Sequence, residues 1–171
     1  DADLELAASA AVWGAFCNAG QSCSSVERLY VEAPAAEKLT ALIVEKTRKL
    51  KQGAGSDAAA DIGAMSSERQ LKIVTDHVES FKKDGARVLT GGGYKDLFFE
   101  PTVIAGATNE MRAMREETFG PTLPIAVFHT EEEAVRLAND TEFGLTASVW
   151  TRDAAKGRRV AEQIEAGTVC I

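Results

Sequence analysis

Residues 67–90 read SERQLKIVTDHVESFKKDGARVLT, and this stretch passes from a helical pattern to a strand pattern. Ser67 with Gln70 three positions later is the signature of a capping box at a helix start. A predicted buried stripe at helical spacing follows, made of Leu71, Val74, Val78 and Phe81. Gly85 ends the helix, and residues 87–90 follow as a short strand. The unit is therefore a helix that leads directly into a strand.

The same alternation extends to both sides of this unit. Four further helices are predicted. The first covers Asp3 to Phe16, with Leu6, Ala7, Ala10, Ala11 and Trp13 at helical spacing, and the second starts at Pro34. The third is capped by Thr130 with Glu133 and turns Ala134, Leu137 and Ala138 inward, and the fourth is capped by Asp153. Predicted strands cover residues 26–31, 98–104, 122–128, 147–151 and 168–171. Strands that alternate with helices predict one α/β domain over residues 1–171, with a mostly parallel sheet flanked by helices.

Composition narrows the class of protein. The 171 residues carry a net charge of -7, which disfavours nucleic acid and anionic membranes as partners. No apolar run approaches the roughly 20 residues that a transmembrane helix needs. Three scattered cysteines form no disulfide framework, and no cluster of metal-ligand residues occurs. A cytoplasmic protein with reduced thiols and no bound metal is expected.

The stretch Phe16 to Cys23 is the sharpest chemical feature of the sequence. A helix ends near Gly20, and Cys23 follows in the turn before a strand, where a thiol is exposed. Backbone N–H groups at such a turn can stabilise a thiolate and can face a developing oxyanion. The alternative is a cysteine that is merely buried, which is common for free thiols. From the residues alone, both interpretations stay open.

Five blocks in order resemble the aldehyde dehydrogenase family. Phe16, Asn18, Gly20, Gln21 and Cys23 match the active-site motif Phe-x-Asn-x-Gly-Gln-x-Cys. The other four blocks are residues 116–121 (Glu-Glu-Thr-Phe-Gly-Pro), Pro101-Thr102, residues 139–148 and residues 166–169. They cover nearly the whole chain, so the sequence is identified as a member of this family.

The resemblance implies a site and a reaction. Cys23 would be the nucleophile that attacks the aldehyde, and its backbone N–H would be one oxyanion donor. Glu117 would bind the hydroxyls of the nicotinamide ribose, and Phe119 would pack beside the nicotinamide of NAD or NADP. In the family the general base, a side-chain oxyanion donor and an N-terminal dinucleotide-binding domain lie upstream of the region matched here. The resemblance also implies that the parent enzyme forms a homodimer or homotetramer. Residues 1–171 alone are expected to be inactive, because the base, the side-chain oxyanion donor and the dinucleotide-binding domain lie upstream.

The remaining candidates receive structural roles. Gln70 is assigned to the capping box and Asn18 to holding the turn, although the resemblance places both near the site. Packing is predicted for Cys17 and Cys170, no catalytic role for His77 or His129, and a simple turn for Gly91-Gly92-Gly93. Two alternative functions stay open: a relative that transfers the acyl group to coenzyme A, and a non-catalytic domain that keeps the fold. The complete cysteine motif argues against the second.

Overall fold

The computed structural model describes residues 1–171. Its helices are α1 (Leu4–Phe16), α2 (Ala33–Thr47), α3 (Glu68–Lys83), α4 (Arg112–Arg115), α5 (Glu131–Asn139) and α6 (Ala154–Ala161). Its strands are β1 (Leu29–Glu32), β2 (Arg87–Thr90), β3 (Tyr94–Lys95), β4 (Phe98–Phe99), β5 (Thr102–Ala105), β6 (Thr122–Phe128), β7 (Thr146–Ser148) and β8 (Thr168–Cys170). None of the helices combines the length and the apolar character needed to cross a membrane.

The central sheet has four strands in the order β1-β6-β5-β2. β6 pairs in parallel with both β1 and β5, and β2 adds to β5 in the antiparallel direction. Residues 102–104 and 122–126 are buried without interruption, so the two inner strands are covered on both faces. The predicted α/β fold with a mostly parallel sheet is confirmed.

Helices close the core against this sheet. α1 packs on α2, both contact β6, and α3 contacts β2. The largest fully buried side chains are Phe16, Phe81, Phe99, Ile43, Ile104 and Leu123. The predicted stripe of α3 is buried in full, since Leu71, Val74, Val78 and Phe81 all lie in the core. The amphipathic pattern of that helix thus determined its orientation.

α1 leaves two large apolar side chains exposed. Leu6 is 59% exposed and Trp13 is 72% exposed. The face that α1 buries is made of small residues with one aromatic at the end: Ala7, Ala8, Ala11, Val12, Ala15 and Phe16. Alanines allow the close approach to α2, whereas larger side chains on that face would hold the helices apart.

Three further features of the fold differ from the sequence prediction. β1 begins at Leu29 instead of Val26, because the Val26 N–H donates to the Gly14 carbonyl (3.1 Å) and so ties residue 26 to α1. β7 and β8 form a separate parallel pair instead of extending the central sheet. No residue of α5 is fully buried, and its three predicted inward residues are half-buried.

Candidate active site

The cysteine motif folds as a left-handed turn at the end of α1. Asn18, Ala19 and Gly20 all have positive φ, at 53°, 55° and 68°. Two bonds hold this conformation, which is uncommon for residues other than glycine. The Asn18 side chain donates to the Gln21 carbonyl (2.9 Å), and the Gln21 N–H donates to the Asn18 carbonyl (3.1 Å). Asn18 therefore closes the turn, as the sequence predicts.

Cys23 lies on the exposed corner of the next turn. The Ser25 N–H donates to the Ser22 carbonyl (3.0 Å), which closes a turn that carries Cys23 at its second position. The thiol side chain is exposed. The N–H of Cys23 has no acceptor within the chain. A thiol and an unpaired N–H therefore lie together at the surface.

Side chains on both sides of Cys23 fix this corner to the body of the fold. Before it, the Gln21 side chain accepts from the Ser66 N–H (2.7 Å) and donates to the Ala64 carbonyl (3.3 Å). After it, the Ser25 hydroxyl donates to the Gly14 carbonyl (3.1 Å). The thiol is thus exposed without being on a free loop.

The second motif forms the loop of residues 116–120, here called the 116–120 loop. Its two neighbouring carboxylates differ in the contacts that they make within the chain. Glu116 accepts from Arg112 (2.9 Å) and lies 3.0 Å from the buried His77 ring. Glu117 is exposed and has no hydrogen bond or ion pair within the chain. Of the pair, Glu117 is the carboxylate that is available to a ligand.

Three side chains hold the 116–120 loop, two by bonds to its backbone and one by bonds to its side chains. Phe119 in this loop is half-buried and has a left-handed φ of 51°. Glu27 accepts from the N–H groups of Phe119 (2.9 Å) and Thr118 (3.2 Å). Gln70 donates to the carbonyls of Thr118 (2.8 Å) and Phe119 (3.2 Å). The His77 Nδ1 lies 3.0 Å from the Thr118 hydroxyl. The N–H groups of Thr118 and Phe119 are therefore bonded by Glu27, and the carbonyl groups of the same two residues are bonded by Gln70 from α3.

Gln70 corrects the sequence interpretation. Its N–H donates to the Ser67 hydroxyl (3.2 Å), as a helix cap requires. Its side chain does not complete a capping box, because it binds the 116–120 loop instead. The predicted cap is therefore half correct, and Gln70 also supports the candidate site.

His77 also has a role that the sequence did not reveal. Burial is the largest cause that lowers the pKa of His77, and its hydrogen bond to Glu116 opposes this shift. The lowered pKa favours the neutral ring, and one tautomer of that ring satisfies both of its contacts. Nε2–H donates to Glu116, which can only accept, and Nδ1 accepts from the Thr118 hydroxyl. His77 is a bridge between α3 and the 116–120 loop.

Burial raises the pKa of Glu27 to about 7, against the opposing bonds from Phe119 and Thr118, and the nearby charge of Glu117 adds to the increase. Glu27 is thus a weakly acidic carboxyl group beside the loop. Sequence reasoning missed it because it occupies a polar position in what was read as an alternating strand.

The cysteine turn and the 116–120 loop are in direct backbone contact. A Cβ atom added to Gly20 would lie 2.1 Å from the Gly120 carbonyl oxygen. On the other side, a Cβ added to Gly120 would lie 2.2 Å from Val74 in α3. Only glycines allow this close stacking. The structure therefore brings together the two segments that hold Cys23, Glu117 and Phe119.

The other residues considered in the sequence analysis have the following surroundings. The packing predicted for Cys17 and Cys170 was wrong, since both thiols are exposed. The N–H of His129 donates to Glu133 (2.8 Å) at the start of α5. Asn139, from the third motif, binds the Gln163 carbonyl (2.8 Å) and the Glu165 N–H (2.9 Å). No group of three or more His, Cys, Asp or Glu side chains is placed to hold a metal ion.

Comparison with known proteins identifies the family. A sequence model described as "Aldehyde dehydrogenase family" matches residues 1–171. The chain belongs to the aldehyde dehydrogenase family. A relative named putative succinate-semialdehyde dehydrogenase [NADP(+)], from Mycolicibacterium smegmatis, is 45% identical over 98% of this chain and 33% of its own length. A 4,4'-diapolycopene aldehyde oxidase from Methylomonas sp. is 44% identical over 100% of this chain and 32% of its own length.

Solved structures of aldehyde dehydrogenases match the fold closely. Betaine aldehyde dehydrogenase from Staphylococcus aureus, in complex with NAD+, has a TM-score of 0.97 and 37% identity over 100% of this chain and 35% of its own. Succinate-semialdehyde dehydrogenase from Burkholderia pseudomallei has the same TM-score and 40% identity, over 100% of this chain and 36% of its own. The chain spans about a third of the length of the relatives it matches.

Proposed function

We propose that the protein oxidises an aldehyde to a carboxylic acid with NAD or NADP as the acceptor, and that Cys23 is the nucleophile. The observation that carries this proposal is the contact between Gly20 and Gly120, because it joins the turn of an exposed thiol to the loop of a free carboxylate. Relatives named as NADP-dependent and structures solved with NAD+ support this class of cofactor.

Cys23 supplies the covalent chemistry. Its thiolate attacks the aldehyde carbon and forms a thiohemiacetal, while its unpaired N–H faces the developing oxyanion. Hydride leaves the same carbon, which turns the thiohemiacetal into a thioester. Water then hydrolyses the thioester and releases the acid and the thiolate. Sulfur suits both halves of this cycle, since it is a good nucleophile and a good leaving group.

The 116–120 loop fits one side of a nicotinamide site. NAD or NADP, when bound, accepts the hydride. The free carboxylate of Glu117 can accept bonds from two ribose hydroxyls, and the half-buried ring of Phe119 offers an apolar surface for the nicotinamide. The bonds from Glu27, Gln70 and His77 hold that loop in one position, in contact with the turn that precedes Cys23. Such positioning matters because small errors in donor–acceptor geometry are costly to rate.

This chain does not carry the whole machinery in the proposal. No carboxylate of residues 1–171 matches the general base that the family uses to activate water. By the family resemblance, the base and a side-chain oxyanion donor are assigned to segments upstream of residues 1–171, and the adenosine site to a dinucleotide-binding domain. Residues 1–171 by themselves are proposed to be inactive for this reason.

A second exposed cysteine in the same motif provides a control for the test of the nucleophile. In the complete enzyme, Cys23→Ser should lower aldehyde-dependent formation of NADH or NADPH on the order of 10³-fold or more, because a serine hydroxyl is far less acidic and less nucleophilic than a thiol. Cys17→Ser is the matched control, since Cys17 is also exposed and lies six residues away. It should retain activity within about twofold, with an unchanged melting temperature in both variants.

Each outcome has a clear meaning. Substantial turnover by Cys23→Ser would overturn the assignment, and loss in Cys17→Ser alone would move the nucleophile to that position. Addition of coenzyme A to the wild-type assay addresses the acyl-transfer alternative. Formation of acyl-CoA in place of free acid would show that a thiol replaces water in the last step.

A further inference from the structure

We propose that Glu27 is a positioning residue for the dinucleotide: its carboxylate fixes the peptide backbone of Thr118 and Phe119, and thereby the positions of Glu117 and Phe119 relative to Cys23. This inference rests on the proposed function, because it assigns a role within the same site. Glu27 contacts backbone only, and its effect on a cofactor would be indirect.

The geometry of the bonds is that of an anion held by two successive amides. One oxygen of Glu27 accepts from Phe119 (2.9 Å) and the other from Thr118 (3.2 Å). Successive N–H groups converge on one anion when the backbone enters the left-handed region, as Phe119 does at a φ of 51°. The carboxylate and the strained backbone therefore support each other, and the loop would relax without the carboxylate.

Glu27 differs from the other two supports in its place along the chain. Gln70 and His77 attach the loop to α3, whereas Glu27 follows Cys23 by four residues. Ser25, between them, is fixed to the end of α1 through Gly14. Glu27 is accordingly the side chain that connects the 116–120 loop to the segment that carries Cys23.

The surroundings of Glu27 predict how pH should act. Burial raises its pKa to about 7, and the charged group that faces it is Glu117, which adds to the increase. Glu116 in the same loop is already paired with His77 and with Arg112. When pH falls through about 7, protonation occupies one oxygen of Glu27 and weakens its hold on the two N–H groups.

The test compares two isosteric changes in the complete enzyme. Glu27→Gln keeps the shape of the side chain but turns an NH2 group toward one of the two N–H donors. Glu37→Gln is the matched control, an exposed glutamate on α2. Glu27→Gln should raise the Kd for NAD or NADP about tenfold and lower kcat, consistent with loss of a hydrogen bond to a charged group. The rate of Cys23 alkylation without cofactor should stay within about twofold of wild type.

A pH series separates positioning from general stability. The wild-type Kd for the dinucleotide should increase as pH falls from 8 to 6, and the Glu27→Gln value should be nearly level over this range. Any contribution of His77 to the pH dependence of the Kd is present in both proteins and cancels when the two are compared. Amide hydrogen exchange of Thr118 and Phe119 should be faster in Glu27→Gln. If that variant fails to fold, the wild-type pH series alone decides, and a level Kd overturns the proposal.

Variants of Cys23 and Glu117 separate a failure of the proposed function from a failure of the proposed role of Glu27. If Cys23→Ser and Glu117→Gln keep full activity, the proposed function fails. If both lose activity while Glu27→Gln binds the dinucleotide like Glu37→Gln, the function stands and the positioning role of Glu27 is refuted.

Discussion

Replacing Gly20 by alanine should separate the cysteine turn from the 116–120 loop. The new Cβ would lie 2.1 Å from the Gly120 carbonyl oxygen and 2.4 Å from its carbonyl carbon. Both atoms belong to backbone that is itself pressed against Val74, so neither can rotate out of the way. Residue 20 also has a φ of 68°, where an alanine is strained whatever space it has.

A second glycine allows these two costs to be separated. Gly106 has a similar φ of 77°, but an added Cβ would meet no atom within 4 Å. Gly106→Ala therefore carries the conformational cost alone, about 1–2 kcal/mol. Gly20→Ala carries the same cost and an overpacking cost of roughly 1–3 kcal/mol. The gain from a less flexible unfolded chain is common to both and cancels in the comparison.

Denaturant unfolding and activity of the complete enzyme together test this reasoning. Gly20→Ala should be less stable than Gly106→Ala by about 1–3 kcal/mol. Its kcat/KM for an aldehyde should fall at least about tenfold, because displacement of the turn would move Cys23 relative to the 116–120 loop, where we propose that the nicotinamide binds. Gly106→Ala should keep near-normal kcat/KM. Equal losses of stability and activity in the two variants would refute the contact between the two loops.

The other expectations concern the cofactor, pH and the isolated chain. Glu117→Gln in the complete enzyme should slow single-turnover formation of the reduced cofactor about tenfold or more while aldehyde binding changes less, and wild-type rates would make Glu117 a plain surface charge. Glu27 has a folded-state pKa of about 7, raised from 4.5, so its contribution to stability is fully present below pH 4.5 and is lost as pH rises through 7. The unfolding free energy of wild type relative to Glu27→Gln should therefore fall between pH 4.5 and 7 and then level, and a flat difference would contradict the shifted pKa. Residues 1–171 alone should produce no reduced cofactor from NAD or NADP with a panel of aldehydes, and turnover would place the base within this chain.

Local patterns in the sequence were enough to predict most of the fold. The stripe of α3 contrasts strongly with its charged face, so its buried side could be assigned from spacing alone. α1 lacks that contrast because nearly every residue is apolar, so its spacing alone does not reveal that Leu6 and Trp13 are exposed. The separate pairing of β7 with β8 was also missed, since strand partners depend on contacts between distant segments.

The candidate site shows the same division between local and distant information. The turn that exposes Cys23 is encoded within eight residues, and Asn18 acts on a partner three positions away. The supports of the 116–120 loop act across 39 to 92 positions. Gln70 offered an ambiguous signal, because Ser67 with Gln70 fits a helix cap equally well. Glu27 offered none, since a glutamate on an alternating strand ordinarily faces solvent.

Backbone strain is concentrated where the two loops meet. Four residues other than glycine have positive φ, and three of them, Asn18, Ala19 and Phe119, belong to these loops. Each left-handed residue costs roughly 1–2 kcal/mol, so such positions persist only where the surrounding bonds determine them. Relaxing either loop would open the contact between Gly20 and Gly120, because that contact depends on the left-handed turn of one loop and the close packing of the other. The side-chain bonds of Asn18 and Glu27 therefore act on the same quantity, the distance between the thiol of Cys23 and the surface around Glu117, although neither side chain has to touch the substrate.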